Sequence, residues 1–204
     1  MKKTLMGLSL MIAICIAASL FFTGCASAPT AEINATKAAI TAAQTEDVQI
    51  YAADSLKTAE DNLAKATAEV QTQDSKSGFS RDYKAATDLL KQAKDAATKA
   101  QADAVANKAK TKADAEALIA GLAAQLADAK KALATAPKGK DTKAELEALQ
   151  NDLKSADEAA AASSTAMAQG KFMDALGQAK AAKEKADGVI AQVTAAKAKI
   201  KGHK

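Results

Sequence analysis

The sequence predicts an all-α protein of elongated, antiparallel helical hairpins, a coiled-coil-like bundle with one very long central helix. Alanine, the strongest helix former, supplies about a quarter of the 204 residues. Leucine, isoleucine, valine and phenylalanine account for only 25 of the 180 residues from Cys25 onward. Because alanine buries little apolar area, this composition favours long, thin helices over a thick globular core.

The balance of charge argues against a disordered chain. The formal net charge is +4, and it falls to +2 without Lys2 and Lys3. Disorder usually requires low hydrophobicity together with a high net charge. A stress-protective helical protein that folds conditionally, of the LEA-like type, is the alternative that this composition leaves open.

Residues 1–24 have the organisation of a secretory signal peptide. A positive start is followed by an almost unbroken apolar run, 5–22, and then by two small residues. The tetrapeptide Phe22-Thr23-Gly24-Cys25 resembles the lipobox of bacterial lipoproteins, although Phe22 stands where that motif usually has Leu, Val or Ile. The resemblance implies that Cys25 is acylated and becomes the first residue, on a lipidated tether, 25–30.

Other fates of this leader are considered as well. Ordinary signal peptidase could cleave after Ala28, which would place Pro29 at the new amino terminus. The apolar run is also just long enough for an uncleaved anchor across about 30 Å of hydrocarbon. In lipoproteins of the enterobacterial type, Asp after the cysteine retains the protein in the inner membrane, and Ala26 is not Asp. The resemblance therefore implies the outer membrane, facing the periplasm.

The predicted first helical unit spans 31–134 and has three helices. The first helix carries Ile33 and Ile40 one heptad apart. A connection at 48–53, a second helix capped by Asp54 and a polar turn at 73–79 follow. Ser80 is predicted to cap the third helix, which meets no breaker before Pro137 except Gly121. At 1.5 Å per residue, its roughly 55 residues would extend about 80 Å.

A loop at 135–141 is predicted to separate this unit from a second one, 142–204, a helical hairpin with a basic end. Thr142 and Glu145 have the spacing of a capping box. Gly170 separates the two helices of the hairpin. Five apolar residues of the long helix are expected to contact the next helix or a partner chain. These residues are Leu118, Ile119, Leu122, Leu126 and Leu133, and their expected contacts are Leu146, Leu149 and Leu153.

An internal repeat relates the two units. Four residues of the second helix, Leu56, Ala59, Leu63 and Ala66, match Leu146, Leu149, Leu153 and Ala156 at a spacing of 90. The start of the next helix, Tyr83, Ala86, Leu90 and Ala93, matches Phe172, Ala175, Ala179 and Ala182 at a spacing of 89. An aromatic residue followed by small residues at helical spacing favours close antiparallel hairpins.

Segments of the chain resemble known families. The region 31–104, with Tyr51-Ala52-Ala53 before a Leu-x-x-Ala-x-x-x-Leu-x-x-Ala helix at 56–66, resembles proteobacterial Ala-rich lipoproteins classed as a domain of unknown function. That family has Pro where this chain has Ala53, and it brings no known activity. The pattern Gly170-x-Phe172-x-x-Ala175 is similar to half of a tetratricopeptide repeat, which implies related helical hairpins.

The sequence offers no constellation for catalysis, metal binding or a cofactor. Nucleophilic catalysis needs a base beside the nucleophile, whereas the only histidine is His203, and Cys25 is predicted to be acylated. One histidine is too few for a zinc site. Neighbouring acids, at 60–61 and 157–158, are interpreted as solvated helix surface, with ion pairs expected from Asp61 to Lys65 and from Asp95 to Lys99. We therefore expect a protein that is not an enzyme.

The carboxyl-terminal stretch 180–204 is basic, with seven lysines against two acids. Such an end could meet anionic lipid or the cell wall, or could simply complement the helix dipole. Nucleic acid is not expected, since the aromatic residues for base stacking are lacking. Lys204 is the candidate for cell-wall contact, because the small Lys-terminated lipoprotein of enterobacteria, which this chain resembles in its lipid and Ala-rich helices, is joined to peptidoglycan there.

These observations together predict a non-enzymatic envelope lipoprotein that acts as a periplasmic scaffold, spacer or adaptor. Its membrane contact would be the lipid on Cys25, and its partners would be envelope proteins or peptidoglycan, with oligomers allowed. The alternatives are a peptidoglycan-bound or peptidoglycan-attached tether, and the LEA-like protein.

Overall fold

The computed structural model describes residues 27–138 and 142–201, and over these residues the protein is all-α. One helix, of 51 residues, is much longer than the others, as the sequence predicts. The helices are α1 (Thr30–Ala43), α2 (Glu46–Tyr51), α3 (Ala53–Asp74), α4 (Lys84–Ala134), α5 (Lys143–Ala168) and α6 (Phe172–Lys201), with a 3-10 turn at Gly78–Ser80. The predicted leader 1–24, Cys25, His203 and Lys204 lie outside the described residues.

The chain divides into two units at a boundary inside α4, between Ala104 and Val105. The sequence prediction placed this division at 135–141, where Pro137 gives a clear break signal. The difference arises because the first part of α4 packs with α1 and α3, whereas its later part packs with α5 and α6. A change of packing partners along an uninterrupted helix leaves no breaker residue in the sequence.

Unit 1 is built from α1, α2, α3 and the first part of α4. The Thr36 hydroxyl donates to the Leu90 carbonyl (3.5 Å). Further along both helices, the Gln101 amide donates to the Ala42 carbonyl (3.2 Å). Because both contacts advance in the same direction, α1 and α4 are parallel.

Helix α3 runs antiparallel to α4 and completes this unit. The hydroxyl of Ser55, near the start of α3, donates to the Asp103 carboxylate (2.6 Å), twenty positions into α4. The predicted heptad pair of α1 faces inward at both ends, because Ile33 and Ile40 belong to two separate core clusters. The main core of unit 1 is largely alanine, and its buried members are Ile40, Ala43, Val48, Ala52, Leu56, Ala59, Ala97, Ala100 and Ala104.

Unit 2 repeats this topology with the later part of α4, α5 and α6. The Gln125 amide donates to Asp187, and the Lys197 ammonium donates to the Thr135 hydroxyl (2.6 Å). Both pairs are separated by 62 positions, so α4 and α6 are parallel and in constant register. Helix α5 runs antiparallel to α4 and α6. Lys130 of α4 forms an ion pair of 2.9 Å with Asp157 of α5.

The leucine contacts expected for the later part of α4 are confirmed for two of its residues. Leu126 and Leu133 share a cluster with all three expected leucines of α5. Ile119 packs in one cluster with Met167 and Leu176. It also joins Leu118 and Leu122 in a second cluster, where alanine lines the neighbouring helices, at Ala159, Ala160, Ala179 and Ala182. Small residues allow the helix axes to approach closely.

Local details of unit 1 differ from the sequence prediction at several helix boundaries. Helix α3 begins at Ala53 with Ala52 at the cap position, so Asp54 lies in its first turn and does not cap it. Residues 46–51 form the short helix α2 and not a plain connection, because the Thr45 hydroxyl accepts from the Val48 amide (3.3 Å) and caps it. The predicted capping residue of the long helix, Ser80, bonds Ser77 instead. The Asp82 carboxylate accepts from the first amide of α4.

Both ends of α5 lie where the sequence predicted a helix boundary, at Thr142 and at Gly170. Thr142 lies at the start of the helix as expected, but its hydroxyl makes no cap hydrogen bond and donates to the Pro137 carbonyl (3.4 Å). Gly170 ends the helix with φ of +74°. The amides of Gly170 and Lys171 donate to the carbonyls of Met167 and Ala166, which is the Schellman pattern that favours glycine.

The residues paired by the sequence repeat occupy corresponding places in the two units. They lie on α3 and at the start of α4 in unit 1, with Tyr83 just before α4, and on α5 and α6 in unit 2. They are buried except for Leu63, Leu146 and Phe172, which are half-buried. The turns between these helices differ. In unit 1 the turn runs from Ser75 to Tyr83, whereas in unit 2 it is only 169–171 because α5 continues further than α3.

Candidate functional site

The end of unit 1 that lies next to the predicted tether carries the most distinctive surface that the structure describes. Ala28 packs against a cluster of Val70, Tyr83 and Ala86, together with Ile33. Its carbonyl accepts from the Thr30 amide (2.8 Å). The chain is therefore in contact with the helical body from Ala28 onward.

Only three peptide units separate Ala28 from Cys25, the predicted lipidation site. A residue spans at most about 3.6 Å even when fully extended, so Cys25 lies within about 11 Å of Ala28 along the chain. This limit follows from covalent geometry and holds for any conformation of the intervening residues. Any membrane attached through Cys25 must therefore lie close to this end of unit 1.

The turn 75–83 occupies the same end and is closed by a network of hydrogen bonds. The Arg81 guanidinium donates to the backbone carbonyls of Asp74 (2.9 Å) and Lys76 (3.1 Å). The hydroxyls of Ser77 and Ser80 are bonded to each other (2.8 Å). These contacts fix the backbone on both sides of the 3-10 turn.

Three further hydrogen bonds lie at the base of the turn. Buried Gln73 accepts from the Asp82 amide (3.0 Å) and donates to the Glu69 carboxylate (2.6 Å). The Tyr83 hydroxyl donates to the Asp74 carboxylate (2.5 Å). This hydrogen bond, together with burial, raises the pKa of the Tyr83 hydroxyl, because ionisation would place two negative charges side by side.

Phe79 stands at the tip of this turn with 89% of its surface exposed. Single exposed apolar residues are common on proteins and need no special explanation by themselves. Phe79 differs in its setting, because the hydrogen bonds of the turn hold its backbone and its position lies beside the tether. The sequence prediction identified the turn but assigned no role to Phe79; Gly78-Phe79 within a polar stretch was the signal available.

The carboxylates considered for acid–base chemistry have ordinary surface partners. Glu60 accepts from the Gln44 amide (2.8 Å), and Asp61 pairs with Lys57 (2.9 Å). The expected Asp61–Lys65 pair was therefore wrong, because Asp61 pairs with the lysine four residues before it and not with the one four residues after it. Asp95 likewise pairs with Lys91 and not with Lys99, which reaches Asp103 instead. In the second unit Asp157 pairs with Lys130, and Glu158 lies near Lys154.

An open groove of about 670 Å³ lies between α1 and α3 in unit 1. Its walls combine apolar residues, such as Ile40 and Leu63, with the hydrogen-bonded Gln44–Glu60 pair. The groove is open to solvent, and its carboxylate, Glu60, is hydrogen-bonded to the Gln44 amide. It is therefore an ordinary surface groove between two packed helices.

No group of histidine, cysteine and acidic residues within 27–138 and 142–201 is arranged to hold a metal ion. None of the helices in this part of the chain combines the length and the apolar character needed to cross a membrane.

No family model, curated protein or solved structure matches the chain significantly. The resemblance to Ala-rich lipoproteins therefore stays a prediction from the quoted motifs. The two residues that the sequence singled out, Cys25 and Lys204, lie outside the described residues.

Proposed function

We propose that the protein is a lipid-anchored envelope protein, attached through Cys25 to the outer membrane and facing the periplasm, where it acts as a non-enzymatic scaffold or adaptor. The observation that carries this proposal is how early packing begins among the residues that the structure describes. Ala28 already belongs to a core cluster of unit 1, three residues after the lipobox cysteine. Cleavage before Cys25 would remove the leader and leave every described helix in place.

A lipid on Cys25 also suits the chemistry of membrane attachment. A single acyl chain gives only marginal and reversible binding, whereas several chains on one cysteine hold a protein stably. The tether between Cys25 and the helical body is short, so the folded units would be kept near the membrane surface.

The scaffold role is supported by the surface chemistry of the helices. Lysines and acids pair along the helix surfaces at i,i+4 spacing, as in Lys84–Asp88 and Lys110–Asp114. Such pairs support solvent-exposed helix surfaces. Helix α4 contributes to both units, which suits a protein that presents two similar helical surfaces on one chain.

The first experiment is the mass of the mature amino-terminal peptide isolated from membranes. We expect acyl chains on Cys25 in the wild type and none in a Cys25→Ser variant. Cys15→Ser is the matched control, because Cys15 lies in the predicted leader and its loss should not alter the mature mass. An unmodified Cys25, or a mature chain beginning at Met1 or Pro29, would overturn the lipid anchor.

The membrane of residence is tested by fractionation of the two membranes. We expect wild-type protein in the outer membrane and an Ala26→Asp variant in the inner membrane, following the sorting rule of enterobacterial lipoproteins. Wild-type protein found in the inner membrane would contradict the proposed location without affecting acylation.

Scaffold and covalent tether are separated by boiling envelopes in detergent and isolating the cell wall. A scaffold held by its lipid should be released completely, whereas a protein joined through Lys204 should stay with the peptidoglycan. Removal of Lys204 is the control, since it would release a covalently joined protein and leave a scaffold unchanged.

A further inference from the structure

The turn 75–83 has a feature that its counterpart in unit 2 lacks. In unit 2, α5 continues to Ala168 and the chain reverses through a three-residue turn at Gly170. In unit 1, α3 ends sooner, and the chain instead forms a longer loop that exposes Phe79. At spacings of 89 and 90, the residues that correspond to Phe79 are Ala168 and Gln169, neither of which is aromatic.

The loop therefore takes the place of the last turn that α5 has and α3 lacks, and it exposes an aromatic side chain to solvent. Side chains hold the backbone of the loop at both ends. Arg81 donates to the Lys76 carbonyl, and the Gln73 side chain accepts from the Asp82 amide. The exposure of Phe79 is thus a property of an ordered turn.

The location of the loop indicates what covers Phe79. Tyr83, at the end of the loop, lies in the same cluster as Ala28, and Cys25 is within about 11 Å of Ala28 along the chain. Because α1 and α4 are parallel and both begin at this end, the loop and Ala28 lie at the same end of unit 1. An acylated Cys25 would bring the membrane surface to the loop.

We propose that Phe79 inserts into the membrane interface and forms a second contact beside the lipid on Cys25. This inference rests on the proposed lipid anchor. Aromatic side chains are favoured at the boundary between headgroups and acyl chains, and nearby cations favour anionic lipids. Exposed Lys76 lies in the same loop as Phe79. Two contacts would fix the orientation of unit 1 on the membrane, whereas a lipid alone would let it rotate.

The test uses tryptophan fluorescence, because the chain contains no tryptophan of its own. Full-length acylated protein carrying Phe79→Trp is purified from membranes and placed in vesicles of phosphatidylethanolamine and phosphatidylglycerol. Lipids with brominated acyl chains then report contact with the apolar layer. We expect a blue-shifted emission and loss of most of the fluorescence when brominated lipid is present.

Ile50→Trp is the matched control within unit 1. Ile50 is also exposed, at 46%, but it lies in α2, beyond the far end of α1. The 14 residues of α1 separate it from the tether end by about 21 Å of helix. The emission of this variant should stay red-shifted and unquenched. Circular dichroism of both variants confirms that the helices are intact.

The outcomes separate the two proposals. If the protein carries acyl chains and the Phe79→Trp variant is unquenched, the inference fails while the anchor stands. Shielding in native membranes but not in vesicles would likewise overturn it, in favour of a protein partner. If Cys25 carries no lipid, the proposed anchor fails and the inference with it.

Discussion

Tyr83 donates a 2.5 Å hydrogen bond to the Asp74 carboxylate, and this bond joins the end of α3 to the residue before α4. It closes the base of the loop that exposes Phe79. The tyrosine ring is buried in the cluster that also receives Ala28. One side chain thus links the loop to Ala28, near the start of the described residues.

Unit 1 should lose stability at alkaline pH through this bond. The pKa of Tyr83 is raised above its ordinary value of 10.0, chiefly by the hydrogen bond to Asp74. A raised pKa contributes stability that is fully present below the unfolded pKa and disappears as pH rises through the folded pKa. The wild type should therefore lose its advantage over Tyr83→Phe above that range, as measured by urea unfolding at increasing pH. An advantage that persisted at high pH would contradict the bond.

The opposite pH dependence is expected for Asp103 in the same unit. Hydrogen bonds from Lys99 first, and then from Ser55, lower the pKa of Asp103 below its ordinary value of 3.8. A lowered pKa contributes stability that is present above the unfolded pKa and disappears as pH falls through the folded pKa. We expect Asp103→Asn to reduce the urea midpoint slightly at neutral pH and to have no effect in strong acid.

The control for this comparison is Asp128→Asn. Asp128 lies on the same helix and is exposed, so its substitution changes the same charge outside the contact between α3 and α4. A neutral-pH loss of equal size in both variants would show that net charge, and not the Lys99–Asp103–Ser55 group, causes the effect.

Two glycines should respond to alanine in opposite directions. Gly170 has φ of +74°, where an L side chain is strained, although an added Cβ would meet nothing within 4 Å. We expect Gly170→Ala to cost about 1 kcal/mol of unfolding free energy. Gly188 lies inside α6 in open space, so Gly188→Ala should add about 0.5–1 kcal/mol. Urea unfolding measures both; a neutral Gly170→Ala would contradict the strained turn.

The sequence was most informative where a single residue type has one structural use. Gly170 was identified as the break between α5 and α6, and the structure gives it the left-handed conformation that only glycine adopts without strain. The long helix was predicted from the lack of breakers before Pro137, and α4 runs to Ala134. These features depend on local backbone preferences, which the sequence carries directly.

The remaining features depend on contacts between distant residues. Asp61 and Asp95 each have one lysine four positions earlier and another four positions later in the sequence. Side-chain conformation decides which of the two lysines forms the ion pair. Asp82, and not Ser80, caps the start of α4, because the Ser80 hydroxyl is bonded to Ser77 inside the loop. The exposure of Phe79 follows from hydrogen bonds to backbone carbonyls, for which a sequence has no pattern.

Packing between alanine-lined helices should tolerate no added volume. Ala182 on α6 is fully buried against Leu122 of α4 and its neighbours. Extra methylene groups in a filled interface force shifts of the surrounding side chains, so Ala182→Leu should cost about 1–3 kcal/mol. Ala191→Leu is the matched control, because Ala191 is exposed on the same helix and its effect should stay within about 0.5 kcal/mol. Urea unfolding followed by circular dichroism gives both values.

This comparison also separates a packed bundle from the LEA-like alternative. A chain that is helical only under stress has no fixed interface, so leucine at Ala182 and leucine at Ala191 would have the same small effect on helicity in dilute buffer. A packed bundle should be strongly helical without additives and should unfold cooperatively, with only Ala182→Leu shifting its midpoint. Equal behaviour of the two variants, together with weak helicity of the wild type, would favour the conditional folder.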